Sequence, residues 1–145
     1  MSKRFQWLRR WLPATGLMIA IFIFSSLTGD QVHTLIEMVK DFLRQFIQGG
    51  EGPGIDWTIV GHACGYGLLG AAYLRGFAPS QHRAPWYAIG SVLLYGSSDE
   101  FHQSFVPGRT ATLFDLGVDL TAACLVILLI TLLQRKNKKI TADQP

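Results

Sequence analysis

The chain has 145 residues, 49% of them apolar and only 16% charged, with a mean hydropathy of +0.25 and a formal net charge of +3. One domain's length with so few charges points to the membrane class and away from a disordered or ordinary soluble chain. The two cysteines, Cys64 and Cys124, lie in apolar stretches without Cys-x-x-Cys spacing, which speaks against a disulfide framework or a zinc knuckle.

Lys3, Arg4, Arg9 and Arg10 precede the uncharged run Leu12 to Leu27. A basic stretch before an apolar one is also the layout of a secretory signal peptide, but no small-x-small site closes the run and the rest of the chain is itself apolar. The segment therefore reads as a retained first span over residues 12–28, with Pro13 in its first turn and Ser25 and Ser26 bonding back to the helix backbone. From 31 to 48, Val32, Leu35, Ile36, Val39, Phe42, Leu43, Phe46 and Ile47 recur at helical steps, and Glu37, Lys40, Asp41, Arg44 and Gln45 fill the opposite face. Such a helix is too charged to span; it belongs flat in the membrane interface, and Gly49 to Gly54 form a linker after it.

The second span, 57–75, carries His62 and Tyr66 on one face, with Gly61, Gly65, Gly67 and Gly70 as sites of close helix approach. At 1.5 Å rise, His62 lies roughly 8 Å below the outer boundary. The third span, 85–103, places Tyr95, Asp99 and His102 at i, i+4 and i+7 with Gln103 beside them, and Glu100 about 100° away, toward the fourth helix or the interface. Pro107-Gly108 makes a turn that delivers Arg109, whose planar fork suits a carboxylate or phosphate. Thr110 or Thr112 caps the fourth span, 113–133, and Asp115 and Asp119 share one face of its first turns; a basic tail, 136–145, ends the chain.

Ten of the 13 basic residues fall on one side of this arrangement, and Lys40, Arg44 and Arg109 fall on the other. The positive-inside rule puts both termini in the cytoplasm and the polar cluster on the extracytoplasmic side, and a charge distribution of this kind is a topology signal, so no nucleic-acid partner is expected. The expected fold is all-α: an integral membrane four-helix bundle with an additional amphipathic interfacial helix on the extracytoplasmic side.

The run Ser98-Asp99-Glu100-Phe101-His102-Gln103-Ser104-Phe105-Val106-Pro107-Gly108-Arg109-Thr110, followed by Asp115 and Asp119, resembles the signature of the VanZ-like membrane protein family. Phe24-Ser25-Ser26, His62, Tyr66 and Leu69-Gly70 fall where that family has similar motifs, so the resemblance covers residues 1–135 as one domain. It implies a bacterial four-helix protein of the inner membrane, in a family named for a member associated with teicoplanin resistance. The chain departs from the family at Thr58-Ile59, where an Asp-Lys pair is common, and at Thr121-Ala122-Ala123, where Gly-Ala often follows the second aspartate.

The candidate site residues are His62, Tyr66, Asp99, Glu100, His102, Gln103, Arg109, Asp115 and Asp119. Charges at membrane depth are costly unless paired or hydrated, which makes this cluster a site by default. Three roles suit it. It binds an anionic or polar envelope component, a lipid headgroup or cell-wall precursor, with Arg109 as clamp; or Asp99 or Glu100 is the general base of an enzyme; or Arg109 pairs with an acid and only fixes helix packing. A variant of the enzyme reading has His62, His102 and the acids holding a divalent metal, but Asp-Glu-x-His is not a standard zinc spacing, so no metal or other cofactor is expected.

Overall fold

A computed structural model describes residues 3–44, 54, 56–78 and 81–142, and among these the chain is all helix, without strands. The helices are α1 Lys3–Ser25, α2 Gly29–Arg44, α3 Trp57–Gly76, α4 Ala84–Gln103 and α5 Leu113–Ala142.

Local chemistry sets the helix ends. Between α1 and α2, the Thr28 N–H donates to Gln31 Oε1 at 2.9 Å and the Gln31 N–H donates to Thr28 Oγ1 at 3.4 Å, a reciprocal capping box that starts α2 at Gly29. Asp56 caps α3 by accepting the Thr58 N–H at 2.9 Å, and that bond holds its carboxyl below the usual carboxylate range. α4 opens with Pro85 in its first turn, where the missing N–H leaves nothing unsatisfied.

α3 is the central helix, packed against α1, α4 and α5. Its contact with α5 is close because Gly70 has no side chain: a Cβ there would stand 2.9 Å from Ala123 Cβ and 3.2 Å from Ala123 Cα. Around this seam Tyr66, Leu69, Leu74, Ala88, Val92 and Ile127 are buried. At the far end from the acidic cluster, Trp11 of α1 packs edge-on against Phe77 with ring centroids 4.9 Å apart.

Away from α3 the helices are apolar on the outside. Leu12 is 71% exposed, Leu94 75% and Leu113 87%. Two helical stretches, Phe5–Ser25 and Leu113–Lys138, are long and apolar enough to cross a membrane, and only 11% and 17% of their most apolar windows is buried. A soluble protein's core helix would bury that surface.

Several boundaries differ from the sequence expectation: α1 ends at Ser25 and not at 28, and α2 begins at Gly29 and not at 31. α1 begins at Lys3, so Pro13 lies inside the helix and not in its first turn: Phe5, Trp7, Leu8 and Trp11 already make helical turns ahead of it. α5 runs on to Ala142 through the stretch expected as a basic tail, because Lys and Arg are good helix formers and favourable near a helix C-terminus. Phe46, Ile47 and the linker through Pro53 lie outside the described residues.

α2 meets the rest of the chain at its start. The Gly29 N–H donates to Pro107 O at 3.1 Å, tying α2 to the turn that follows α4. This turn uses Gly108 at φ +72°, and a Cβ on Gly29 would collide with the Gly108 carbonyl. Val32 and Ile36 are half-buried on α2 beside the cavity, whereas Leu35, Met38 and Phe42 are exposed, Leu35 at the cavity rim.

Candidate functional site

Three helices and one turn bring the polar residues together. α4 sorts its own at about 100° per residue. Tyr95 and His102, seven residues apart, lie nearly in line and face α1: Tyr95 Oη donates to Met18 O at 2.6 Å, and the His102 ring stacks on Phe22 at 4.7 Å with Nε2 3.1 Å from Ser26 Oγ. Asp99 and Gln103 face α3. Glu100, a further 100° round, faces the start of α5.

A first chain of bonds runs from α3 to the turn. Tyr66 Oη donates to Asp99 Oδ2 at 2.9 Å, Gln103 Nε2 donates to the same oxygen at 3.0 Å, and Arg109 Nη2 donates to Gln103 Oε1 at 2.6 Å. The amide of Gln103 is thus oriented by its neighbours, nitrogen toward the acid and oxygen toward the guanidinium. Among the described residues Arg109 forms no ion pair.

A second set lies behind the first. His62 Nδ1 is 2.9 Å from Asp119 Oδ1, with Asp119 fully buried and the His62 side chain 9% exposed. Glu100 Oε2 accepts the Thr112 N–H at 2.8 Å. Thr112 Oγ1 donates to Asp115 Oδ2 at 2.7 Å and accepts the Asp115 N–H at 3.0 Å, so Thr112 caps α5 while Glu100 takes the cap's own N–H from a different helix. One oxygen each of Asp99, Glu100 and Asp119 is buried without a hydrogen-bond partner among the described residues: Oδ1, Oε1 and Oδ2 respectively.

A cavity of about 380 Å³ opens between α1, α2 and α3. Leu17, Ile21, Phe24, Val32, Leu35, Ile36 and Trp57 give it apolar walls, and Ser25, His62, Tyr66, Asp99, Gln103 and Arg109 give it one polar side. The expected single pocket is therefore two connected layers. His62, Tyr66, Asp99, Gln103 and Arg109 line the cavity; Glu100, Asp115 and Asp119 stand behind, reached through His62. His102 joins neither layer and is bound instead to α1.

Ser26 bonds back to Phe22 O at 2.7 Å as expected, but Ser25, expected to do the same, has its Oγ buried at the cavity wall without a partner among the described residues. Gly96 lets α4 approach Tyr66 and α5: a Cβ there would stand 2.9 Å from Leu116 Cδ1 and 3.4 Å from Tyr66 Cε1. Its place one turn before Asp99-Glu100 was the available signal. The same three-helix convergence brings ligand atoms of His62, Glu100 and Asp119 within 4.8 Å of one another, a set drawn from α3, α4 and α5 that no local spacing displays.

The described residues thus form an all-helical protein with an outward apolar surface, an apolar cavity and, beside it, a buried layer of acids and one imidazole. A family model described as VanZ/LLP1 matches residues 10–134, and the chain belongs to the VanZ/LLP1 family. No curated protein and no solved structure matches it.

Proposed function

We propose that the chain is a multi-pass protein of the bacterial inner membrane whose cavity binds an anionic amphiphile, a phospholipid or a lipid-linked cell-wall precursor. In this reading α1, α3, α4 and α5 cross the bilayer, α2 lies in the extracytoplasmic interface and both termini are cytoplasmic. α3 and α4 have 20 residues each, about the length a bilayer core requires. The exposed apolar side chains of α1 and α5 support burial in lipid.

One observation carries the binding reading. Arg109 stands at the polar side of an otherwise apolar cavity and bonds to a neutral amide, leaving its charge available to a ligand phosphate while the acyl or polyprenyl chain occupies the apolar walls. A role in glycopeptide or envelope-stress resistance suits a site that holds such precursors. The test is a melting experiment on purified protein in detergent: phosphatidylglycerol raises the midpoint of the wild type more than phosphatidylcholine does, and Arg109→Ala removes the difference. Equal stabilisation by both lipids contradicts the proposal.

A second reading, an acid–base enzyme, moves the base from the expected Asp99 or Glu100 to His62, which lines the cavity and is hydrogen-bonded to Asp119, an imidazole–carboxylate pair suited to moving a proton. Hydrolysis of a bound lipid-linked phosphate that His62→Ala abolishes, with lipid retention intact, supports this reading.

A further inference from the structure

The buried layer behind the cavity has a charge problem that its protein partners do not solve. Glu100 is 8% exposed and Asp119 0%, and each keeps one oxygen without a partner. Among the described residues Asp119 has His62, but Glu100 has only the Thr112 backbone N–H. Carboxylates removed from water either take a cation beside them or give up their charge by holding a proton. Arg109 does not serve here, because its side chain bonds to Gln103 in the other layer.

We propose that His62, Glu100 and Asp119 bind one divalent transition-metal cation of the zinc or manganese kind. The donors come from three helices, so the packing of α3, α4 and α5 preorganises them, and their ligand atoms already lie within 4.8 Å of one another. Metal–ligand bonds of about 2.0–2.2 Å at tetrahedral angles hold neighbouring donors a little over 3 Å apart. His62 Nδ1 and Asp119 Oδ1 stand 2.9 Å apart in a hydrogen bond, which the ion replaces by taking the nitrogen lone pair, and drawing in Glu100 completes the set. Glu100 Oε1, unpartnered among the described residues, is free for the ion, and Asp119 Oδ2, likewise unpartnered, stands beside Oδ1 for a second contact.

Donor chemistry selects the metal. One imidazole nitrogen with two carboxylates disfavours calcium and magnesium, which prefer all-oxygen sites, and the lack of a thiolate disfavours soft ions. Three protein ligands leave one position open, as at zinc sites that bind a substrate or water. The inference does not rest on the lipid reading, because the cluster shares only His62 with the cavity wall.

The test uses full-length protein purified in detergent without chelator. Metal analysis finds about one equivalent of zinc or manganese per chain. After stripping with EDTA and dialysis, adding Zn²⁺ or Mn²⁺ raises the melting midpoint and adding Mg²⁺ does not. Glu100→Gln loses both the retained metal and the rise, whereas His82→Ala, an exposed histidine elsewhere, keeps them. Cobalt(II) added to the stripped wild type gives visible d–d absorption, a readout that needs no variant to fold. Wild type with no retained metal, no Zn²⁺ or Mn²⁺ stabilisation and no cobalt spectrum overturns the proposal and leaves a protonated cluster. Undiminished metal in Glu100→Gln overturns it equally, since the ion then sits elsewhere.

Discussion

Arg109 is joined to Asp99 through the neutral amide of Gln103, with bonds of 2.6 Å and 3.0 Å, and not by direct contact of opposite charges. This separates two explanations of a charged residue at the edge of a helical bundle. Removing one partner of a buried ion pair costs about 3–5 kcal/mol, whereas losing one hydrogen bond to a charged group costs about 1.5–3 kcal/mol at most. Arg109→Ala is therefore expected to unfold near the lower figure in a denaturation series, and adding Asp99→Asn is expected not to restore it. Rescue by that second change would make Arg109 a charge-neutralising strut.

Tyr66 is the other donor to Asp99 Oδ2, and Asp99 Oδ1 already has no partner. Tyr66→Phe keeps the ring but withdraws the hydroxyl, at an expected cost of about 1–3 kcal/mol. In a double-mutant cycle with Asp99→Asn the two changes should couple by about 1 kcal/mol or more. Additive effects would show that the bond contributes nothing to the fold.

The α3–α5 seam has a packing test. A side chain at Gly70 meets Ala123 Cα, which is backbone and has no rotamer to yield, whereas one at Gly90 meets nothing within 4 Å. Gly70→Leu is expected to destabilise by about 1–3 kcal/mol, and Gly90→Leu to be neutral or better. Because Gly70 holds α3 against the helix that carries Asp119, Gly70→Leu should also disturb the His62–Asp119 contact, visible as a shifted imidazole resonance.

Much of this was legible in the sequence. α3 and α4 lie over the stretches 57–75 and 85–103 because Asp56 and Pro85 mark their starts and Pro107-Gly108 enforces a turn after α4. That His62 meets an acid of a neighbouring helix was readable from its place near the start of α3; that the acid is Asp119 of α5 was not. What local pattern did not reveal is how one helix divides its polar residues among three neighbours. Asp99, Glu100 and His102 are almost adjacent in the chain, yet they face α3, α5 and α1 respectively. The capping box at Thr28 and Gln31 was readable as Thr-x-x-Gln, but the apolar run through Leu27 drew the first span past it.

The proposed topology rests on the basic residues at the two ends of the helices. In a Cys64→Ala, Cys124→Ala background, a cysteine replacing Lys138 is expected to resist a membrane-impermeant maleimide added to intact cells, and one replacing Asp30 at the start of α2 to react. The reverse pattern would put the cavity on the cytoplasmic side.

If the cavity beside Arg109 holds an anionic amphiphile, native mass spectrometry of the protein released from mild detergent detects it: a retained mass matching a phosphate-bearing lipid or lipid-linked precursor is expected on the wild type. That mass should be weakened in Arg109→Lys, which keeps the charge but not the planar fork, and absent in Arg109→Ala under conditions where the variant remains folded. Wild-type protein that flies without any such adduct, or an adduct equally abundant on Arg109→Ala, would contradict it.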